Sequence, residues 1–339
     1  GRLFVEGYVR APASLRPAAD SSPGSHPDAT VSAGMDTPVI YDSVLSEAVL
    51  AYQRRHALAE DAVIGPATRR SMNRSASDRI RQIAANLERH RWLPRDRGDR
   101  YLIVNVPAFT LRAFDAGREV LSMNVVVGAE YGGRSTPVFS DSMAYVVFRP
   151  YWNVPASIAA NELYPKQRSD GGYFARNGYE TVRASWGSYV RQKPGGTNAL
   201  GLVKFIFPND FAIYLHDTPS QGLFSERIRA ASHGCIRVAH PDALAHFVLG
   251  WDLDSIQAAM HTGPNDRRVN LDAKLPVYIV YLTAYANDGK VQFADDIYNR
   301  DAAVMRAVGA GAFPTDNARR AVNALDRVRA AQRTTGAVH

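Results

Sequence analysis

The sequence predicts an α+β protein: a predominantly β domain carrying a long insertion, preceded by a small all-α module. Three observations carry that expectation. Between residues 40 and 91 apolar side chains recur at helical spacing; from Tyr101 the period becomes two; and over about 156–198 neither pattern holds.

Residues 1–38 read as a flexible linker or tail, 11–38 being rich in Pro, Ala, Ser and Asp without a periodic apolar pattern. Asp42-Ser43 is a good N-cap pair, and Leu45, Ala48, Val49 and Tyr52 behind it form one face of a helix ending near Arg55. Pro66 is placed to open a second short helix, which completes a module over 39–75. A connecting helix within 76–98 is expected from about Ser77 to Arg91, with Ile80, Ile83, Ala84 and Leu87 as its apolar stripe. The β domain is expected over 99–295. "YLIVNV", "FTLRAFD", "REVLSMNVVVG", "MAYVVFR", "LVKFIF" and "FAIYLH" read as strands, and 277–293 as a hairpin turning at Asn287-Asp288-Gly289. Short helices are expected over 242–251 and 252–261. The stretch 156–198, with Gly171-Gly172 and Gly195-Gly196, is too long for an ordinary loop and reads as a lid or binding element. The tail, 296–339, is Ala- and Arg-rich and at most helical.

The 339 residues carry a net charge of +7, 40 basic against 33 acidic side chains, which favours an anionic partner. The basic residues are interleaved with acids, and there is no zinc-finger spacing and no RNP-type aromatic motif, so no nucleic-acid partner is expected. No run approaches the roughly 18 consecutive apolar residues of a membrane span. The chain opens "GRLFVEGYVR", without the basic and apolar segments of a secretory leader.

Cys235, in "AASHGCIRVAHP", is the one cysteine of the chain, so neither an intrachain disulfide nor a CxxC site is available. A lone cysteine is either a buried small hydrophobe or a reactive thiol. Two histidines are placed to activate it: His233, two residues before, and His216, at the end of "FAIYLH". Either imidazole would accept the thiol proton and then, as imidazolium, stabilise the thiolate. Gly234 would let a substrate backbone approach closely and would leave the Cys235 N–H free for a developing oxyanion. A zinc site of His216, His233 and Cys235 matches no standard ligand spacing.

His216, fifteen intervening residues, and then Ser232-His233-Gly234-Cys235-Ile236-Arg237 resembles the signature of the L,D-transpeptidase catalytic domain (YkuD-type). "PYWNVPASIAANELYPK", "NALGLVKFIFPN" and "IYLHDTP" resemble the long periplasmic members with a lid insertion. The resemblance implies Cys235 as nucleophile and His216 as general base, its ring oriented by the main-chain carbonyl of Asp217. Ser232 and His233 would shape the nucleophile's loop, and the N–H groups of Gly234 and Cys235 would form the oxyanion hole. Arg237 would hold a substrate carboxylate or a structural ion pair, and Trp152 and Tyr214 would be pocket walls. The reaction implied is acyl transfer between peptidoglycan stem peptides, forming 3→3 cross-links in the periplasm or cell envelope. No metal or organic cofactor is called for, and carbapenems would acylate Cys235. A carboxypeptidase using the same residues and a non-catalytic wall-binding protein are the alternatives. "LSEAVLAYQRRHALAEDAVIGPATRRSMN" resembles peptidoglycan-binding repeats, which implies glycan as a partner; those repeats commonly have Gly where this chain has Ala62.

Overall fold

The computed structural model describes residues 41–287 and 289–309, together with Leu3 and Tyr8. The rest of the expected linker, the tail beyond Gly309 and Asp288 of the expected hairpin turn lie outside the described residues. The described residues divide into two compact units: one takes those through Arg81 together with Ala284–Ala294, the other takes Gln82–Thr283 and those from Asp295 to Gly309.

In the smaller unit, helix α1 (Ser43–Arg55) starts where the sequence places its cap: the Asp42 carboxylate accepts the Leu45 N–H at 2.9 Å. Ala48, Val49 and Tyr52 are its buried face. Gln53 is buried with them at 1% exposure, and its side chain organises the following turn. Its amide nitrogen donates to Asp61 Oδ1 (2.8 Å) and the Val63 carbonyl (3.0 Å), while its oxygen accepts the Ala62 N–H (3.0 Å). Asp61 closes the turn by accepting the Val63 N–H at 2.8 Å, and these two bonds hold its carboxyl below the usual range. Ala62 between them sits at φ +58°, the left-handed region in which a glycine is at ease and an alanine is not. Pro66 then opens helix α2 (Pro66–Met72).

This unit is not all-helical. A hairpin of Ala284–Asn287 and Lys290–Phe293, which the strand pattern assigned to the β domain, clusters with these helices. Short helices leave an apolar flank open, and the hairpin covers it. The Phe293 ring stacks on His56 at 5.3 Å and lies under the Arg79 guanidinium at 4.4 Å, and Arg55 Nε donates to the Val291 carbonyl at 2.7 Å.

The unit boundary falls inside helix α3 (Ala76–Arg91). Ser75 and Asp78 cap it reciprocally: the Asp78 N–H donates to Ser75 Oγ at 3.0 Å and the Ser75 N–H to Asp78 Oδ2 at 3.2 Å. The expected stripe is corrected here. Ile80 and Leu87 are 66% and 60% exposed, and the buried positions are Arg79, Gln82, Ala85, Asn86, Glu88 and Arg89. The reason is a strand end with unsatisfied backbone groups. Gln82 Nε2 donates to the Thr283 carbonyl at 2.8 Å, the Thr283 N–H donates to Asn86 Oδ1 at 2.9 Å, and Asn86 Nδ2 donates to Thr283 Oγ1 at 2.8 Å. Arg89 pairs with Asp301 at 2.5 Å. Meeting those groups outweighs burying two aliphatic side chains.

The larger unit is built on a nine-stranded sheet. Its strands are β1 (Tyr101–Asn105), β2 (Thr110–Asp115), β3 (Arg118–Gly128), β4 (Phe139–Phe148), β8 (Val203–Ile206), β9 (Leu215–His216), β10 (Ala230–Ser232), β11 (Ile236–Val238) and β12 (Arg267–Val280). The order is β10-β3-β11-β9-β8-β4-β12-β1-β2, and β2 also pairs with β3, so the sheet closes on itself around one core. That core includes Leu102, Leu111, Met143, Phe148, Phe205, Leu215 and Ile236. Helices α4 (Pro241–Leu249) and α5 (Leu253–His261) pack on it through Leu244, Val248, Ile256 and Met260. Strand β12 begins at Arg267, well before the alternation visible from Val277, because its first half pairs with β4 while exposing polar residues.

The insertion has its own small core. Strands β5 (Trp152–Asn153), β6 (Tyr179–Ala184) and β7 (Gly187–Gln192) form a three-stranded sheet, and a short helical run over 156–169 packs Ala159 and Leu163 against Val154 and Val190. Asn198 pins the insertion's end by donating to the Pro150 and Lys193 carbonyls at 3.0 and 2.9 Å.

Two substitutions test the helix reading. Asn86→Ala, which strands the Thr283 N–H, is expected to cost about 1–3 kcal/mol in denaturant unfolding, whereas Leu87→Ser should stay within about 0.5 kcal/mol. Ala62→Gly is expected to stabilise the protein by up to about 1 kcal/mol by relieving the left-handed alanine.

Candidate active site

Period-two alternation on two neighbouring strands creates the site. β9 and β11 run parallel, with Leu215 opposite Ile236 and His216 opposite Arg237. Leu215 and Ile236 are fully buried in the core. His216 and Arg237 therefore face the other side of the sheet together, with Tyr214 and Cys235 directly preceding the two strands. The Ile236 N–H donates to the Tyr214 carbonyl at 3.1 Å, which places Cys235 beside Tyr214.

The loop bearing Cys235 is held from within. Ser232 Oγ donates to the Cys235 carbonyl at 2.6 Å and accepts the Gly234 N–H at 3.1 Å. Gly234 has φ +117°, a conformation that residues with a Cβ rarely adopt, so the position needs glycine. The Gly234 carbonyl accepts from Thr136 Oγ1 at 2.9 Å, and that hydroxyl in turn accepts the Gly128 N–H at 2.9 Å. With its N–H bound to Ser232, Gly234 is not the free oxyanion donor the resemblance implied. The Cys235 N–H has no acceptor among the described residues.

The thiol donates to the Ala212 carbonyl at 3.7 Å. That carbonyl is presented by a loop that the strand reading of "FAIYLH" missed: only Leu215 and His216 are in a strand. Asn209 shapes the loop, donating to the Phe207 and Ile213 carbonyls at 2.6 and 2.7 Å and accepting the Phe211 N–H at 3.0 Å.

His216 is 4% exposed. Its Nδ1 lies 2.5 Å from the Asp217 carbonyl oxygen. A carbonyl only accepts, so Nδ1 carries the proton and Nε2 keeps its lone pair. Burial first, and then the Arg237 charge, hold the imidazole pKa down to about 3; the Asp217 hydrogen bond opposes them, and Lys204 adds to the depression. Lys204 is opposite His216 on β8, where burial lowers its own pKa. Burial pushes the Cys235 thiol up, against smaller lowering contributions from the Tyr214 amide and hydroxyl and from Arg237. Tyr214 is raised far above the usual phenol range by burial and by Cys235. The resting pair is therefore a neutral thiol and a neutral imidazole.

Of the sequence candidates, His216 lies on β9 and Arg237 on β11, Tyr214 directly precedes β9, Ser232 ends β10, and Gly234 and Cys235 form the turn from β10 into β11. The Asp217 side chain is committed elsewhere: it accepts the Leu202 and Thr218 N–H groups at 2.8 and 2.7 Å, and burial raises its pKa. Gly201 makes room for it, since a Cβ there would come within 2.3 Å of that carboxylate. Trp152 packs in the insertion's core, with its ring contact to Tyr179 at 6.4 Å. His233 is exposed and its Nε2 meets Glu162 Oε1 at 2.6 Å. Arg237 Nε is buried with no partner, and no ion pair of Arg237 occurs among the described residues. Lys204, Asn209 and Glu162 were not singled out from the sequence; "NALGLVKFIFPN" and "NELYPK" contained them, but nothing local ties them to Cys235.

Comparison with known proteins follows the same residues. The profile of the L,D-transpeptidase catalytic domain matches residues 99–279, more than half of the chain. A Haemophilus influenzae protein named "Putative L,D-transpeptidase" is 31% identical over 244 residues, covering 66% of this chain and 49% of that protein, so the match spans about half of the relative's length. Among solved structures, L,D-transpeptidase 1 of Mycobacterium tuberculosis is 15% identical, covering 54% of this chain and 61% of that one at a TM-score of 0.26. The L,D-transpeptidase of Stackebrandtia nassauensis is 13% identical, covering 75% and 86% at a TM-score of 0.28.

The electrostatics predict the thiol's titration. Iodoacetamide alkylation of Cys235, followed against pH, should inflect above the ordinary thiol range near 8.5. Arg237→Gln removes a charge that lowers the thiol pKa, so it should move the inflection further up; an unchanged or lower inflection would contradict the arrangement.

Proposed function

The chain belongs to the L,D-transpeptidase family, YkuD-type, and on that premise we propose that it is a cysteine acyltransferase of the cell envelope that forms 3→3 peptidoglycan cross-links. The observation that carries the reading is the parallel pairing of β9 with β11, which sets Cys235, just before β11, beside Tyr214, just before β9, while His216 on β9 has its Nδ1 committed to the Asp217 carbonyl. That leaves Nε2 as the one basic position of a buried, uncharged imidazole, the form in which it accepts a proton.

In the proposed reaction, His216 Nε2 takes the thiol proton and the sulfur attacks the amide carbonyl joining the third, diamino residue of a tetrapeptide stem to its terminal D-Ala. The Cys235 N–H donates to the oxyanion, with Gly234 contributing geometry and not its bound N–H. As the intermediate collapses, the C–N bond breaks and the imidazolium proton passes to the amine, so D-Ala leaves and a thioester remains. A side-chain amine of a second stem attacks that thioester, losing its proton to Nε2, and the thiol is restored. The Tyr214 amide and hydroxyl stabilise the transient thiolate. Arg237, a half-buried cation with a partnerless Nε on the reacting face, binds a carboxylate of the donor stem, and Lys204 adds positive potential beside it. The N-terminal helices serve as a peptidoglycan-binding element, in keeping with a net charge of +7 and an anionic polymer. The place of action is the periplasm. No described helix is long and apolar enough to cross a membrane.

The test is mass spectrometry of products after incubation with disaccharide-tetrapeptide. The expected product is two stems joined with one D-Ala released, with fragmentation locating the bond between the two diamino residues. Tripeptide alone would make the enzyme a carboxypeptidase, with water as acceptor. Cys235→Ala should abolish either product, and Arg237→Gln should raise KM for the donor by about tenfold or more. A carbapenem should add its whole mass to Cys235, because opening a lactam expels no leaving group at that step.

A further inference from the structure

The contact between the insertion and the nucleophile's loop carries an inference that rests on the reading above. Glu162 lies in a π-helical turn, Ala159–Leu163, whose Ala159 and Leu163 are buried in the insertion's own core. π-turns interrupt regular helices and recur at functional positions. Glu162 Oε1 accepts from two donors that belong to different segments: His233 Nε2 at 2.6 Å and Arg134 Nη2 at 3.2 Å. His233 is two residues before Cys235. Arg134 belongs to the 129–138 loop that lies under the same turn: its carbonyl is 3.6 Å from where a Gly234 Cβ would stand, and Thr136 of that loop bonds the Gly234 carbonyl. One carboxylate oxygen thus joins the insertion to both segments that hold the nucleophile.

We propose that Glu162 is a positioning residue that clamps the insertion onto the Cys235 loop through His233 and Arg134, and so fixes the space in which the donor stem meets the sulfur. His233 acts in this clamp and not as a second base. Its Nε2 is spent on Glu162, while the proton-accepting role falls to His216, whose Nδ1 is committed to the Asp217 carbonyl. The three side chains are each about one-third exposed, at 34%, 32% and 34% for Arg134, Glu162 and His233, so solvent screens the clamp and its worth lies in position more than in stability.

The experiment compares the full chain with Glu162→Ala, Glu162→Gln and His233→Gln. Cys235 is alkylated with iodoacetamide and, separately, with a bulky maleimide. Loss of the clamp should speed the bulky reagent about fivefold while leaving iodoacetamide within twofold, and amide exchange over 156–169 should rise. In turnover, Glu162→Ala should raise KM for the donor stem with kcat little changed, and Glu162→Gln, which keeps an acceptor oxygen, should restore most of the difference. Adding His233→Gln to Glu162→Ala should have little further effect. Equal acceleration of both reagents, an unchanged ratio between them, or a fall in kcat at constant KM would overturn the proposal. The alkylation ratio reads the clamp without turnover, so a failure of transpeptidation itself shows separately, as wild-type protein that alkylates normally and makes no product.

Discussion

The parallel pairing of β9 with β11 is the constraint on which the site depends. Two strands of two and three residues contribute little to stability by themselves, but Leu215 and Ile236 anchor both in the closed sheet's core. A slip of one residue would turn the whole reacting face inward. The register is therefore enforced by burial, and the chemistry inherits it. His216 and the segment that carries Cys235 need no recognition of one another to be held in register; the buried pair Leu215 and Ile236 decides it.

The same burial sets the electrostatics. Removing His216 from water costs its charged form far more than the Asp217 carbonyl recovers, and two neighbouring cations deepen the effect. Burial raises the thiol as well. A site of this kind rests uncharged and separates charge only when a substrate arrives, with the Tyr214 hydroxyl and amide and Arg237 available to the thiolate. This differs from a preformed thiolate–imidazolium pair, and it suits a single thiol that must stay unreactive until a substrate is bound.

What was legible in the sequence was what is local. The four residues Ser232 to Cys235 are a self-contained turn, closed by Ser232 and dependent on Gly234, so their meaning survives in linear order. The Asp42 cap and the helical positions of Ala48, Val49 and Tyr52 are local in the same sense. The misreadings came from long-range demand. Helix α3 turns its polar side inward because Thr283, some two hundred residues away, has backbone groups to satisfy. Glu162 reaches His233 across 71 positions, and Lys204 reaches His216 only through strand pairing. Trp152 belongs to a small core that exists only once the insertion folds. None of these leaves a periodic trace.

The proposed chemistry requires the acyl group to pass through Cys235. The direct measurement is to mix the protein with disaccharide-tetrapeptide, quench in acid within the first turnover, and read the intact mass and then the cysteine-containing fragment. The expected adduct equals the stem less its terminal D-Ala and is confined to the fragment bearing Cys235. Release of D-Ala or formation of dimer with Cys235 unmodified throughout, or with the Cys235→Ala protein, would contradict it.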